Sequence, residues 1–430
     1  SWIDGRLCRN PQSSKRRLST TATGVTMTRY IIGTLRTGRR ILDLPVLTGP
    51  WDNRILTAGS INVTVDYNDP DVRALQLGNT ATPAQAFLGV VEGDTIMEAG
   101  PIWTRSYDRD SGVLTLGAKG MGSYFNYRLI LPLLAGTIGV DQFTVPDPSD
   151  PSKTMANPDL TTAFSSMSLG TMAKRLVQQA ISWTGGNVPI VFQDDEVGTH
   201  EKNYLGLDFK AVMEAIEDLA NLENGPEFAF QPRFTADKLG LEWLFRTGTS
   251  DQPLVTSSSV PLWSVTAPQS PVSGFYTSED GSRLRSLGWQ VGGRQDDKVL
   301  VARAYDSTLV DAGFPLMESV DSSHSSVSEQ GTLNAYASAM VRAGLSPYEI
   351  WGFDAKARPL DEKGLSAGPQ IEQYRVGDFA DLAFDAWDPE TGHGDPYLTD
   401  KATYRHRIVG LSGDERGDKV SVALAPKVGV

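Results

Sequence analysis

Cysteine is almost missing from this chain: Cys8 is the only one in 430 residues. One cysteine forms no intrachain disulfide and cannot build a cysteine-based zinc site. Histidine is nearly as scarce. Of His200, His324, His393 and His406, none falls in the His-Glu-x-x-His spacing of a zinc peptidase helix. Long hydrophobic runs are missing too. The longest apolar patch, Leu129 to Leu134, is broken by Pro132 and falls far short of the roughly 18 residues that cross a bilayer. Positive charge is in deficit, with 39 Lys and Arg against 52 Asp and Glu and a formal net charge of -13. Clustered Lys and Arg are what grip phosphates, so this balance argues against a nucleic-acid-holding surface. It is compatible with an acidic wall past which DNA slides without sticking.

What remains is a globular composition, 40% hydrophobic and 21% charged, in a chain long enough for two or three domains. Residues 1–26 stand apart. They carry Arg6, Arg9, Lys15, Arg16 and Arg17 against Asp4 alone, without the apolar run of a secretion signal. They read as a polar leader or as a basic arm that clasps an acidic neighbour, and Met27 makes a plausible start to the folded part.

Short strands dominate the rest. "SINVTVDY" (60–67) alternates Ile61, Val63 and Val65 with Asn62, Thr64 and Asp66, the period-2 mark of a half-buried strand. "AFLGVVEGD" (86–94) leads into a hairpin whose loop, Asp108 to Gly112, holds the Asp and Gly that a tight turn needs. Residues 135–160 contain four prolines and read as a long projecting loop. Three amphipathic helices follow. The first, "SLGTMAKRLVQQAISW", sets Leu169, Met172, Leu176, Val177 and Ala180 on one face. The second is expected to start at an Asp208 N-cap, with Phe209, Val212, Met213, Ile216 and Leu219 as its stripe and Gly225 as its stop. The third spans 332–347, with Leu333, Tyr336, Met340 and Val341 inside and Gly344 at its end. Strands return from 349 onward and close in a hairpin whose second strand turns Val420, Val422 and Leu424 to one side. The Gly-Asp turn, strand and hairpin of 90–118 recur loosely at 374–425, which points to two related β-domains, one near each end.

Motifs that would carry chemistry fall short. Gly364-Leu-Ser366-Ala-Gly368 matches the letters of a nucleophile elbow, but it lies in a polar stretch and meets Pro369 at once. "GAKGMG" (117–122) sits beside Lys119 yet fits neither phosphate-loop nor dinucleotide spacing, so no cofactor is expected. The acidic loop 385–400 offers Asp388, His393 and Asp395 as weak metal ligands, without the spacing of a calcium loop. Trp51, Trp183, Trp263 and Trp387 could stack on sugars if exposed. No catalytic constellation emerges, and the chain does not read as an enzyme.

The order of these motifs resembles the minor tail proteins of siphophages of actinobacteria, in particular the tail-tip baseplate-hub family. The likeness rests on "AGPIWTRSYDRDSGVLTLGAKGMGSYFNYRLILP", on the helix running into "GPEFAFQPRF", and on "RVGDFADLAF" with "YRHRIVGLSGDERGDKVSVALAP", which together span nearly all of 27–426. It implies a mainly β, α+β multidomain fold with two β-barrel tube domains and peripheral helix-containing domains. The expected division is a basic arm at 1–26, a first barrel at 27–132, a peripheral loop and helix at 133–205, a helix and hairpin region at 206–348, and a second barrel at 349–430. It further implies a homotrimer forming a pseudo-sixfold ring at the virion tail tip. Such a ring continues the tail tube beside the distal tail protein, other tail-tip proteins and the tape measure protein, and passes genomic DNA without binding it specifically. Hydrolase extensions known in the family are not expected here, and the 1–26 arm has no counterpart in the family pattern. The polar faces Asn62, Thr64, Asp66 and Ser421, with the acids of the 412–418 turn, are the lumen-facing candidates. The alternatives are a receptor- or carbohydrate-binding tail protein and a tail-associated hydrolase.

Overall fold

A computed structural model describes residues 28–132, 143–158, 160–222, 224–249, 252–295, 298–324 and 327–426. The basic arm lies outside these residues.

Seven strands open the chain: β1 (Arg29–Thr34), β2 (Arg40–Leu44), β3 (Trp51–Arg54), β4 (Ser60–Asp66), β5 (Ala86–Glu92), β6 (Thr95–Asp108) and β7 (Val113–Lys119). A middle region follows with β8 (Thr144–Asp147), β9 (Asp150–Ala156), β10 (Thr161–Met167), β11 (Ile190–Phe192), β12 (His200–Leu205), β13 (Glu227–Phe234) and β14 (Leu241–Gly248). Then come β15 (Leu262–Ser264), β16 (Val272–Asp280), β17 (Leu287–Gln295), β18 (Lys298–Tyr305) and β19 (Glu318–Asp321). The last four are β20 (Tyr348–Lys356), β21 (Phe379–Phe384), β22 (Ala402–Gly413) and β23 (Lys419–Pro426).

Thirteen of these strands join one sheet in the order β16-β20-β23-β22-β3-β4-β7-β6-β5-β1-β2, with β21 beside β22 and β15 beside β21. The two ends of the chain therefore share a single sheet, where sequence reading expects two separate barrels. No closed barrel occurs among the described residues. The cause is local. The four residues of β3 pair with β4 on one side (Trp51↔Ile61) and with β22 on the other (Ser412↔Asp52), bridging the halves. The N-terminal strands nonetheless curl. After β2 the chain crosses to β4, where Leu47 N–H donates to the Thr64 carbonyl at 2.7 Å, Thr64 N–H to Thr48 at 2.9 Å, and Asn62 N–H to Pro50 at 3.0 Å.

Two cores flank the first strands. Ile32, Leu88, Val90 and Ile102 join Ile61, Val63, Trp263, Phe353, Tyr374, Val422 and Leu424 in a core shared by both halves. Ile31, Phe87, Val91 and Ala99 turn the other way, onto the Leu169–Ser182 and Val212–Ala220 helices and β14. That is why "AFLGVVE" is buried along its whole length and shows no alternation.

Helix one agrees with the sequence, capped by the Ser168 hydroxyl on the Thr171 amide. The second starts later than expected. Phe209, a left-handed residue at φ 44°, is 55% exposed, and the Leu129↔Ala211 bridge holds the chain extended, so the helix begins at Val212 and Asp208 caps nothing in it. It ends at Ala220, before Gly225. The third spans Gln330–Ala343 and packs on the small β18-β17-β19 sheet, with Leu333, Tyr336 and Val341 buried. The expected projecting loop contains a hairpin, β8–β9.

Candidate functional site: the solvated face of the sheet

Cross-strand partners share a face, so the registers show which side chains lie together. One row runs Asp354–Ser421–Ser412–Asp52–Ser60–Lys119 across β20, β23, β22, β3, β4 and β7. Further along β4, Asn62 joins Gly117 and Thr104, Thr64 joins Thr115 and Ser106, and Asp66 joins Val113 and Asp108. Asn62, Thr64, Asp66 and Ser421, which lie more than 350 residues apart at the extremes of the chain, thus stand on the same face of one sheet. The opposite face carries Ile61, Val63, Val65, Leu114, Leu116 and Val422 into the core.

Short polar groups bound to one another make up this surface. The Thr48 and Thr64 hydroxyls lie 2.7 Å apart, the Ser421 hydroxyl donates to Asp354 at 2.5 Å, and Ser60 donates to Asp52. Its charges are Asp52, Asp66, Asp108 and Asp354 with Arg54, Lys119 and the Lys356–Lys419 pair that lies two residues beyond Asp354–Ser421, and Arg54 stands 3.3 Å from Asp52. Acids and bases nearly balance and are spread over separate strands rather than gathered into one cationic track that would hold a phosphate chain. Chemically, the face is a hydrated wall of hydroxyls and mixed charge. Of the acids in the 412–418 turn, Glu415 accepts the Gly49 amide at 2.8 Å and the Asp414 carboxylate accepts the Arg416 amide of its own turn.

Asp354, Ser412, Asp52, Thr115, Thr104 and Ser106 escaped the sequence reading. The alternation in "VLTLGAK" marks Thr115 as outward, but no local signal says that β20 and β3 continue the same surface.

Of the other sequence candidates, Asp388 and His393 are joined through their backbones, Asp388 N–H donating to the His393 carbonyl at 2.8 Å, but their side chains take other partners. Asp388 accepts the Thr391 hydroxyl and the Glu390 amide, Asp395 accepts the amides of Tyr397 and Leu398, and His393 meets Asp385 at 3.2 Å. Each carboxylate ties its own turn, and no metal-binding group of three ligands forms among the described residues. The Ser366 hydroxyl donates to the Gly368 carbonyl and accepts from Gln370, with no base beside it among the described residues. Trp51 and Trp263 are buried and unable to stack on a sugar, while Trp183 stacks on Phe143.

Beneath the face lies one unusual acid. Glu98 is buried, accepts the backbone N–H groups of Ala99 and Gly59, and borders a cavity of about 70 Å³. Burial, with Asp52 nearby, pushes its carboxyl up to about 8. A side chain at Gly59 would meet the Asp52 carbonyl oxygen at 2.2 Å as well as Glu98 Oε2, and the fixed backbone contact is what requires glycine there.

The structural neighbours of this chain are phage tail proteins. The fold is similar to the 43 kDa tail protein of prophage MuSo2 from Shewanella oneidensis, with a TM-score of 0.51 and 10% identity over 93% of this chain and 98% of that one. It is similar as well to the tail protein from Neisseria meningitidis MC58, with a TM-score of 0.50 and 11% identity over 93% and 96%. No family model and no curated protein matches the sequence. At such identities the shared property is the fold, here a mainly β architecture with few helices.

Proposed function

We propose that this chain is a structural tail-tip protein, a baseplate hub of a phage with a long non-contractile tail. In this reading three copies form a pseudo-sixfold ring that continues the tail tube, serves as an attachment platform and passes DNA during ejection. The observation that carries it is the single polar face shared by both halves of the chain. One continuous sheet with a core on one side and a hydroxyl-rich surface without a concentrated cationic track on the other fits a conduit wall. Likeness of fold to prophage tail proteins supports a place in the virion. The curl of β4 onto the chain after β2, and the packing of β15, β16 and β20–β23 around Trp263, Phe353 and Phe384, support a barrel-like shape for each half. The distal tail protein, the tape measure protein and other tip components are its expected neighbours, and its role is structural rather than catalytic.

Replacing Thr64 with Lys tests the conduit. DNA carries one charge per ~1.7 Å of duplex axis, so added cations on the wall should slow its passage. Tails bearing Thr64→Lys should assemble normally and eject DNA more slowly. Unchanged ejection would remove Thr64 from the channel wall.

A further inference from the structure

The solvated face ends at two strand edges that lack a second neighbour among the described residues. β16 pairs with β20 alone. At the far end, β6 outruns β5. Their pairing stops at Phe87↔Pro101, a last backbone bond joins Ala84 to Ile102, and residues 103–108 continue beside β7 only. Open N–H and C=O groups along an edge are a template for another strand.

Between these edges run eight strands, β16-β20-β23-β22-β3-β4-β7-β6, and every pairing among them is antiparallel. An even number of alternating strands leaves the two edges running in opposite directions. A copy related by rotation about a channel axis then presents its β6 edge antiparallel to β16, and the polar face continues across the joint. We propose that the free edge of β16 pairs with the 103–108 edge of β6 in a second copy of this chain, a head-to-tail contact that closes into a ring. This rests on the ring reading above.

The registers supply an independent check. Relative to the Asp354–Ser421–Ser412–Asp52–Ser60–Lys119 row, Ser278 lies four residues to one side, through its partner Ile350. Ser106 lies four residues to the other side, through Thr115 and Thr64. Aligning the two edges between copies therefore needs a shift of about eight residues, or ~27 Å, across eight strands spanning ~38 Å. That corresponds to a strand tilt of about 35°, within the range of closed barrels, whereas upright strands would leave the edges past one another. Level strands set Ser278 opposite Ser106, Thr277 opposite Tyr107 and Glu279 opposite Arg105, whose guanidinium donates to the carbonyls of Leu77, Gly78 and Ala81 in its own chain. The joint also covers Tyr276 and Tyr107, 54% and 53% exposed in the single chain.

The test is a cross-link in the full chain with Cys8→Ser as background. Ser278→Cys combined with Ser106→Cys should give, on oxidation, a covalently closed trimer that neither substitution gives alone. The proposal is overturned if a trimer forms by mass, yet Ser278→Cys links to none of Ser106→Cys, Thr104→Cys or Asp108→Cys. That result would leave the ring itself standing. A chain that stays monomeric both in concentrated solution and in assembled tails would overturn the ring and the joint together.

Discussion

Glu98 is held by two backbone N–H groups and is reached by no ion pair among the described residues. Its folded carboxyl keeps a proton that the unfolded chain releases above about 4.5. Stability from this group is therefore fully present below that value and is lost as pH rises toward about 8. Urea unfolding across pH 5 to 8 should show the decline, at up to about 1.4 kcal/mol per pH unit. Glu98→Gln should flatten it, because the amide keeps the shape without the ionisation. An unchanged slope in the variant would show that another group drives the pH dependence. Sequence reading did not single out Glu98, since a Glu in "TIMEAGPIW" looks like any outward strand position until the second core is known to lie behind it. The metal candidates Asp388, His393 and Asp395 illustrate the converse. They are close in sequence, but each is engaged by its own turn.

At the level of elements, alternation and amphipathic spacing were readable wherever one face meets a core and the other meets water. β4, β7 and the Leu169–Ser182 helix are such cases. Elements whose form depends on distant partners were not. The strand β3 is four residues, "WDNR", with no period to detect, and it exists because β4 and β22 pair with it from either side. The late start of the second helix likewise follows from a bridge between residues 129 and 211. Because β3 joins the halves, Trp51 offers a direct probe of their coupling. It is buried in the shared core against Gly413. Trp51→Ala should cost about 3–5 kcal/mol. Calorimetry should then show one cooperative transition in the parent chain separating into two in the variant. A variant that loses stability but still melts in a single transition would show that the core couples the halves without this joint.

Over the whole molecule, the mainly β class and the polar strand faces could be read from the sequence, while their union could not. Nothing local in "SINVTVDY" or "VSVALAP" says that Thr64 and Ser421 share a surface; that follows from the long-range pairing of β3 with β22. The same pairing merges the two expected barrels into one sheet. It also brings the charges of both halves onto one face, Asp52, Asp66, Arg54 and Lys119 from one and Asp354, Lys356 and Lys419 from the other. The measurement that tests the conduit most directly is a cryo-EM reconstruction of the assembled tail tip. It should show three copies around the axis, with Asn62, Thr64, Asp66 and Ser421 facing the channel and the Val212–Ala220 helix outside it. A copy seated away from the axis, or a ring with these four residues turned outward, would contradict the account.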